Sequence, residues 1–173
     1  FMAEQLVMVA TDTHRLAKQI IPWQGNGQGK VIVPAKTMQE IARFAGEDQE
    51  IQLKISKNQI YFRTGQVAFI SRVINGQYPD YNQVIPKKEA FITRSVIQSS
   101  RFLQEMERAA VVAREGAGVI KLHFQQDRLA FHASAPDIGT IDGSMGILHQ
   151  GEDIEVVYNS KYIIEVLKAI EGD

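Results

Sequence analysis

A chain of 173 residues with 45% hydrophobic and 23% charged side chains has the composition of one or two folded units, not of a disordered segment. Its formal charge of −1 excludes a uniformly basic nucleic-acid binder but allows local basic surface, and its lack of cysteine excludes disulfide staples, thiolate metal sites and thiol nucleophiles. No apolar run approaches the ~18 residues of a membrane span and no secretory-type start is present, so the expected location is cytoplasmic, in a reducing compartment. The chain starts at Phe1 and stops at Asp173 directly after a helical pattern, which reads as a fragment of a longer protein.

In chain order, Val9 to Ala17 reads as a strand, with Thr11, Thr13 and Arg15 on one face and Asp12, His14 and Leu16 on the other, so both faces carry polar groups. The glycines of Gly25-Asn26-Gly27-Gln28-Gly29 lead into a strand instead of opening a helix and lack a Gly-Lys-Ser ending, which favours a hairpin loop over a phosphate cradle. Ile32-Val33-Pro34 then runs into a helix whose buried stripe is read as Met38, Ile41, Ala42 and Ala45. Strands follow at 50–55, 59–63 and 67–73, separated by turn formers such as Lys57-Asn58. The stretch Asn75 to Pro86 is turn-rich, with prolines that fix φ and tyrosines that offer flat amphipathic surface, and Pro86 to Glu89 is the expected domain boundary.

The same unit recurs beyond the boundary. Val96-Ile97 leads into a helix with Phe102, Leu103, Met106, Ala109, Ala110 and Ala113 as its buried stripe, followed by strands at 119–124, 128–133 and 138–148. Val157-Tyr158 leads into a further helix with Ile163, Val166, Leu167 and Ile170 as its apolar face. The order of strand, helix and three strands, recurring at intervals of about sixty residues, predicts an α+β fold of repeated modules with helices on one face of antiparallel sheets. Lys36 and Arg43, Arg101 and Arg108, and Lys161 and Lys168 each lie seven residues apart, on one side of their helix. They are either solvated surface charge or a track for a phosphate backbone.

Four segments resemble a known family: Ala10-Thr11-Asp12-Thr13-His14-Arg15-Leu16-Ala17, Tyr78-Pro79-Asp80-Tyr81 with Val84-Ile85-Pro86, Glu107-Arg108-Ala109-Ala110 and Tyr158-Asn159-Ser160-Lys161-Tyr162. The family is the bacterial sliding clamp, the β subunit of DNA polymerase III, and the likeness spans nearly the whole chain. It implies a DNA-clamp fold, with residues 1–88 the later part of the middle domain and 89–173 the first module and the start of the second module of the last domain. It also implies a non-catalytic processivity factor that closes around duplex DNA as a head-to-tail homodimer when full length, contacting DNA without regard to sequence and needing neither cofactor nor metal nor membrane. On this resemblance Lys36, Arg43, Arg101, Arg108, Lys161 and Lys168 would face DNA, and Val111 and Val112 would belong to the dimer contact.

The resemblance further implies a groove for short linear motifs of DNA polymerase, clamp-loader subunits and other replication and repair proteins, motifs that present a glutamine and apolar anchors. Thr11, Thr13, His14, Arg15, Leu16, Pro79, Val84, Asn159 and Tyr162 would surround it. Leu16, Pro79 and Val84 suit an apolar wall, Tyr162 a flat face, and Asn159 or His14 a partner for peptide backbone. Gln83, where some relatives have a basic residue, and Gly116-Ala117-Gly118, where some have an aromatic, depart from the pattern, as does Ala35 on the helix.

Rival readings use the same residues. Asp12 and His14 on one strand face would suit an acid–base enzyme, though no nucleophile motif accompanies them. A stand-alone motif-binding module without a DNA role is the other alternative. His123 and His132 on neighbouring strands lack a third metal ligand, and Asp137 to Gly143 lacks calcium-loop spacing, so both read as structural.

Overall fold

The computed structural model describes residues 4–25, 27–46 and 50–170, which form two compact units meeting in sequence at Val84 and Ile85. Asn26 of the glycine-rich loop, the terminal Phe1 and Asp173 lie outside the described residues.

The first unit opens with a hairpin. Strands β1 (Gln5–Thr11) and β2 (Leu16–Pro22) pair antiparallel, with Thr11 opposite Leu16 and Val7 opposite Ile20. The continuous strand expected from Val9 to Ala17 is therefore corrected: the chain reverses over Asp12 to Arg15. No glycine or asparagine marks the reversal. Thr13 takes the left-handed conformation, with φ 74°, and the Asp12 carboxylate bonds the backbone two and three residues on, which is how an Asx turn replaces a ladder.

Past the loop, residues 31–34 form no strand, and the strand expected ahead of the helix is reduced to one bond from Ile74 N–H to the Ile32 carbonyl, 2.8 Å. Helix α1 (Ala35–Phe44) begins after Pro34, whose ring holds φ at −56° and whose carbonyl accepts the first helical amides, from Thr37 and Met38. Strands β3 (Gln52–Ile55), β4 (Gln59–Thr64) and β5 (Val67–Arg72) form an antiparallel sheet in that order. Central β4 alternates cleanly. Ile60, Phe62 and Thr64 are buried, and Ile41 of α1 packs on them with Met38, Leu53 and Phe69. Fully burying each of Ile60 and Phe62 is worth about 1.5–3 kcal/mol. Ala42 is exposed and Ala45 only half-buried, contrary to the expected stripe, because the contact runs narrowly through Met38 and Ile41 and leaves the next residue to one side.

The first unit ends with the short helix α2 (Tyr81–Val84). In the second unit β6 (Thr93–Val96) leads to helix α3 (Ser99–Arg114), followed by β7 (Val119–Gln125), β8 (Arg128–Ala135), β9 (Gly139–Gly146), β10 (Leu148–Gly151), β11 (Ile154–Asn159) and helix α4 (Ser160–Ala169). Antiparallel pairing gives the order β11-β7-β8-β9, while β10 pairs with β6 separately. The single strand expected over 138–148 is thus two. Ile147, 7% exposed, turns into the core, and its amide and that of His149 bond to the β7–β8 turn at Asp127 and Gln126, which sends the chain away from β9. His149 is buried and ties the small ladder together: Ser95 Oγ lies 2.7 Å from Nδ1, and Thr93 Oγ1 and the Glu152 carbonyl lie 3.0 Å from Nε2.

The core of this unit is the alanine face of α3 laid on the sheet. Met106, Ala109, Ala110 and Ala113 meet Ile120, Leu122, Leu129, Phe131 and Met145. Small residues let the helix approach closely, and one glycine in the sheet is needed for the same reason: a Cβ on Gly143 would lie 2.1 Å from the Phe131 ring.

Helix α4 differs from expectation. Ile164 and Leu167 are buried, whereas Val166 and Ile170 are 54% and 52% exposed. The cause is Ser160, whose amide and hydroxyl both donate to the Gly118 carbonyl, at 2.9 and 3.0 Å. That double bond to the α3–β7 connection fixes the helix's rotation, putting Ser160, Ile164 and Leu167 inward at helical spacing. Among the described residues no helix is long and apolar enough to cross a membrane.

Candidate functional site

Two sequence-distant segments of the first unit meet at the β1–β2 hairpin. The Tyr78 hydroxyl donates to the Val9 carbonyl across 3.0 Å, and Lys18 Nζ stands 5.4 Å from the centroid of the Tyr81 ring. These contacts hold residues 78–84 against the hairpin. Asp80 then caps the short helix α2 (Tyr81–Val84), accepting from the Asn82 amide at 3.1 Å and from Gln83 Nε2 at 3.2 Å. Pro79 and Val84 are exposed, Val84 to 64%, and Leu16 is half-buried.

The turn itself is cross-braced. Asp12 Oδ1 accepts from the amides of His14 and Arg15, at 3.2 and 3.1 Å, while Oδ2 accepts from Arg15 Nε at 2.9 Å. Thr11 Oγ1 donates to the Arg15 carbonyl at 2.8 Å and accepts from the Thr13 amide at 3.3 Å. Thr11, Thr13, His14 and Arg15 are all exposed on this braced tip. The hydrogen bond from Arg15 holds the Asp12 carboxyl below the usual carboxylate range; slight desolvation opposes it, and the two amides add to the lowering. A carboxylate stabilised in its charged form is a poor proton acceptor near neutral pH, which weakens the acid–base reading of Asp12 and His14.

In the second unit Asn159 is the N-cap of α4, its Oδ1 accepting from the Lys161 amide at 3.0 Å, and Tyr162 is half-buried one turn on. Asn159 was read as a partner for peptide backbone; its side-chain oxygen is already engaged in the cap. Val111 is 65% exposed on α3 and Val112 half-buried.

The helix cations are less bare than the sequence spacing suggested. Arg43 pairs with Glu40 at 3.3 Å, Arg108 with Glu105 at 2.6 Å and Lys161 with Glu165 at 3.8 Å, all within one helix, and Lys168 of α4 reaches Glu107 of α3 at 2.7 Å. Among the described residues Lys36 and Arg101 make no ion pair. Sequence reading missed these carboxylate partners. Three were legible as i,i+3 or i,i+4 neighbours.

On the far sheet face His132 Nδ1 lies 2.9 Å from Asp142 and Lys121 pairs with Glu155 at 3.1 Å. His123 faces Ala130 across the β7–β8 pair, and among the described residues no three metal-ligating side chains converge.

Comparison with known proteins places this architecture. Residues 1–80 match the family model of the DNA polymerase III beta subunit central domain and residues 82–173 that of its C-terminal domain. The Beta sliding clamps of Staphylococcus epidermidis and Staphylococcus aureus are 33% and 34% identical to the chain over 98% of its length. The chain spans about half the length of these curated relatives, 45% of each. Among solved structures, the DNA polymerase sliding clamp of Bacillus subtilis superposes with a TM-score of 0.91 at 28% identity, over 99% of this chain and 46% of that one. The beta subunit from Thermotoga maritima gives 0.89 at 25% identity, over 99% and 47%. Strand, helix and antiparallel strands repeated in two units therefore define an α+β protein of the DNA-clamp fold. The chain belongs to the DNA polymerase III beta subunit family.

Proposed function

We propose that this chain is the central part of a sliding clamp: a ring around duplex DNA that tethers the replicative polymerase, and in turn clamp-loader subunits and other replication and repair proteins, through a peptide-binding edge. Residues 1–88 would serve as the later part of the middle domain and 89–173 as the start of the last. The tether acts by effective concentration, converting repeated bimolecular rebinding into an intramolecular encounter, and the chemistry belongs to the partners. The protein is non-catalytic, works in the cytoplasm and needs no cofactor. At full length it closes as a homodimer with Val111 and Val112 in the contact.

The observation that carries the peptide-binding role is the bond from Tyr78 to Val9, which brings Pro79 and Val84 to the hairpin bearing Thr11, Thr13, His14, Arg15 and Leu16. Exposed apolar side chains beside a braced polar tip suit a motif with apolar anchors and one amide side chain. In the second unit, Asn159 and Tyr162 are proposed as peptide contacts on the family resemblance alone. The Bartonella birtlesii clamp, 26% identical with a TM-score of 0.87, was solved bound to griselimycin, which supports ligand binding within this fold.

Lys36, Arg43, Arg101, Arg108, Lys161 and Lys168 would contact DNA phosphates loosely and without sequence preference. Charge reversal at Lys36, Arg43, Lys161 and Lys168 in the full-length ring tests this: processive synthesis falls while peptide affinity stays. Unchanged processivity would favour a motif-binding module without a DNA role.

A further inference from the structure

The peptide edge contains a polar residue, Asp12, that is not among its proposed ligand contacts. Asp12 is exposed on the turn, and both its carboxylate oxygens are engaged there: Oδ1 by two backbone amides and Oδ2 by the Nε of Arg15. We propose that Asp12 is a positioning residue for peptide recognition, acting through Arg15: its carboxylate fixes the direction in which the guanidinium meets acceptor oxygens of a bound peptide. The inference rests on the proposed peptide-binding edge and specifies how that edge is organised.

Two features support it. A guanidinium held through Nε by a carboxylate loses most of its rotamer freedom before any ligand arrives, so less ordering remains to be done on binding. The backbone is also held in a costly state. Thr13 is β-branched yet has φ 74°, a conformation that persists only where its surroundings enforce it. The enforcing groups are the side chains of Thr11 and Asp12, the two residues before it: Thr11 accepts from the Thr13 amide and Asp12 from the amides of His14 and Arg15. Strain maintained on an exposed tip, where no core packing benefits, points to the tip's shape as what is maintained. Asp12 is a surface ion-pair partner of Arg15, and the same carboxylate also accepts two backbone amides.

Asp12→Asn separates turn from aim. An asparagine oxygen still accepts the two amides, whereas its NH2 cannot accept from Arg15 Nε. The test is a double-mutant cycle on the 173-residue chain, titrated with a fluorescent peptide carrying glutamine, leucine and phenylalanine anchors, with circular dichroism and thermal melting to confirm folding. Asp12→Asn is expected to weaken binding about three- to fivefold in the wild-type background and to have no further effect in Arg15→Ala. Equal affinity of Asp12→Asn and wild type would overturn the proposal, as would additive losses, which would mean that Asp12 acts independently of Arg15. No saturable binding by the wild type would instead overturn the peptide-binding reading itself, and the inference with it. If Asp12→Asn fails to fold, Arg15→Lys serves in its place: it keeps the charge but loses the planar Nε donor, and wild-type affinity there overturns the proposal.

Discussion

Tyr78 and Val9, 69 residues apart in the chain, are joined by one hydrogen bond of 3.0 Å from phenol to backbone carbonyl. Edge strands leave carbonyls unpaired, and a tyrosine that reaches one fixes both the edge and its own loop. Tyr78→Phe keeps the ring and removes the donor. The variant should lose about 0.5–1.5 kcal/mol in chemical denaturation and weaken the test peptide a few-fold, since Pro79 and Val84 would no longer be held to the hairpin. Wild-type affinity in Tyr78→Phe would show that the loop is placed by other contacts.

The Asp12 carboxyl gives a pH prediction. Its folded value lies below the ordinary 3.8, so its contribution to stability is fully present above the unfolded value and is lost as pH falls through the lowered folded value. The difference in melting temperature between wild type and Asp12→Asn should stay constant from pH 8 to about pH 5 and shrink only in more acid solution. A difference that titrated near pH 6 to 7 would assign the effect to a histidine.

Gly143 and Gly146 both lie on β9 but face different surroundings. A Cβ at Gly143 would overlap the Phe131 ring, with contacts of 2.1 to 2.8 Å, whereas one at Gly146 meets only the Asp127 carbonyl, at 3.9 Å. Gly143→Ala should therefore destabilise the second unit by about 1–3 kcal/mol through overpacking, and Gly146→Ala should leave it near wild type. Paired denaturation curves check this, and equal effects would contradict the packing assigned to Phe131.

Glu107 bridges α3 to Lys168 of α4 at 2.7 Å. Glu107→Gln releases that ammonium for phosphate. In the full-length ring, DNA affinity should rise at low salt and its log–log salt dependence should steepen by about one unit. An unchanged slope would place Lys168 away from DNA.

How far the sequence revealed these features depended on where the deciding interaction lay. The alanine face of α3 and the alternation of β4 were readable because burial on one face imposes a fixed period. The β1–β2 turn was not readable. Thr13, a β-branched residue, stands in the left-handed position usually signalled by glycine, and the reversal depends on an aspartate side chain that also suits a strand-face reading. Helix α4 was only partly readable: Leu167 and Ile163 do pack on the core, but Val166 and Ile170 are exposed and Ile164 is buried in their stead, because its rotation is set by Ser160 reaching Gly118, 42 residues earlier. The carboxylates beside Arg43, Arg108 and Lys161 follow from local spacing, but Glu107 with Lys168 needs the packing of α3 on α4. For the peptide edge, the residue types were visible in the sequence while the bond that gathers Val9 and Tyr78 was not.

The most direct test of the peptide edge is a chemical-shift map. Isotope-labelled chain is titrated with the glutamine-, leucine- and phenylalanine-bearing peptide while backbone amide resonances are followed. The expected result is saturable shifts concentrated at Thr11, Thr13 to Leu16 and Gln83 to Val84, abolished in Leu16→Asp. Shifts confined instead to the β7–β8–β9 face around Lys121, His132 and Asp142, or shifts that persist in Leu16→Asp, would contradict it.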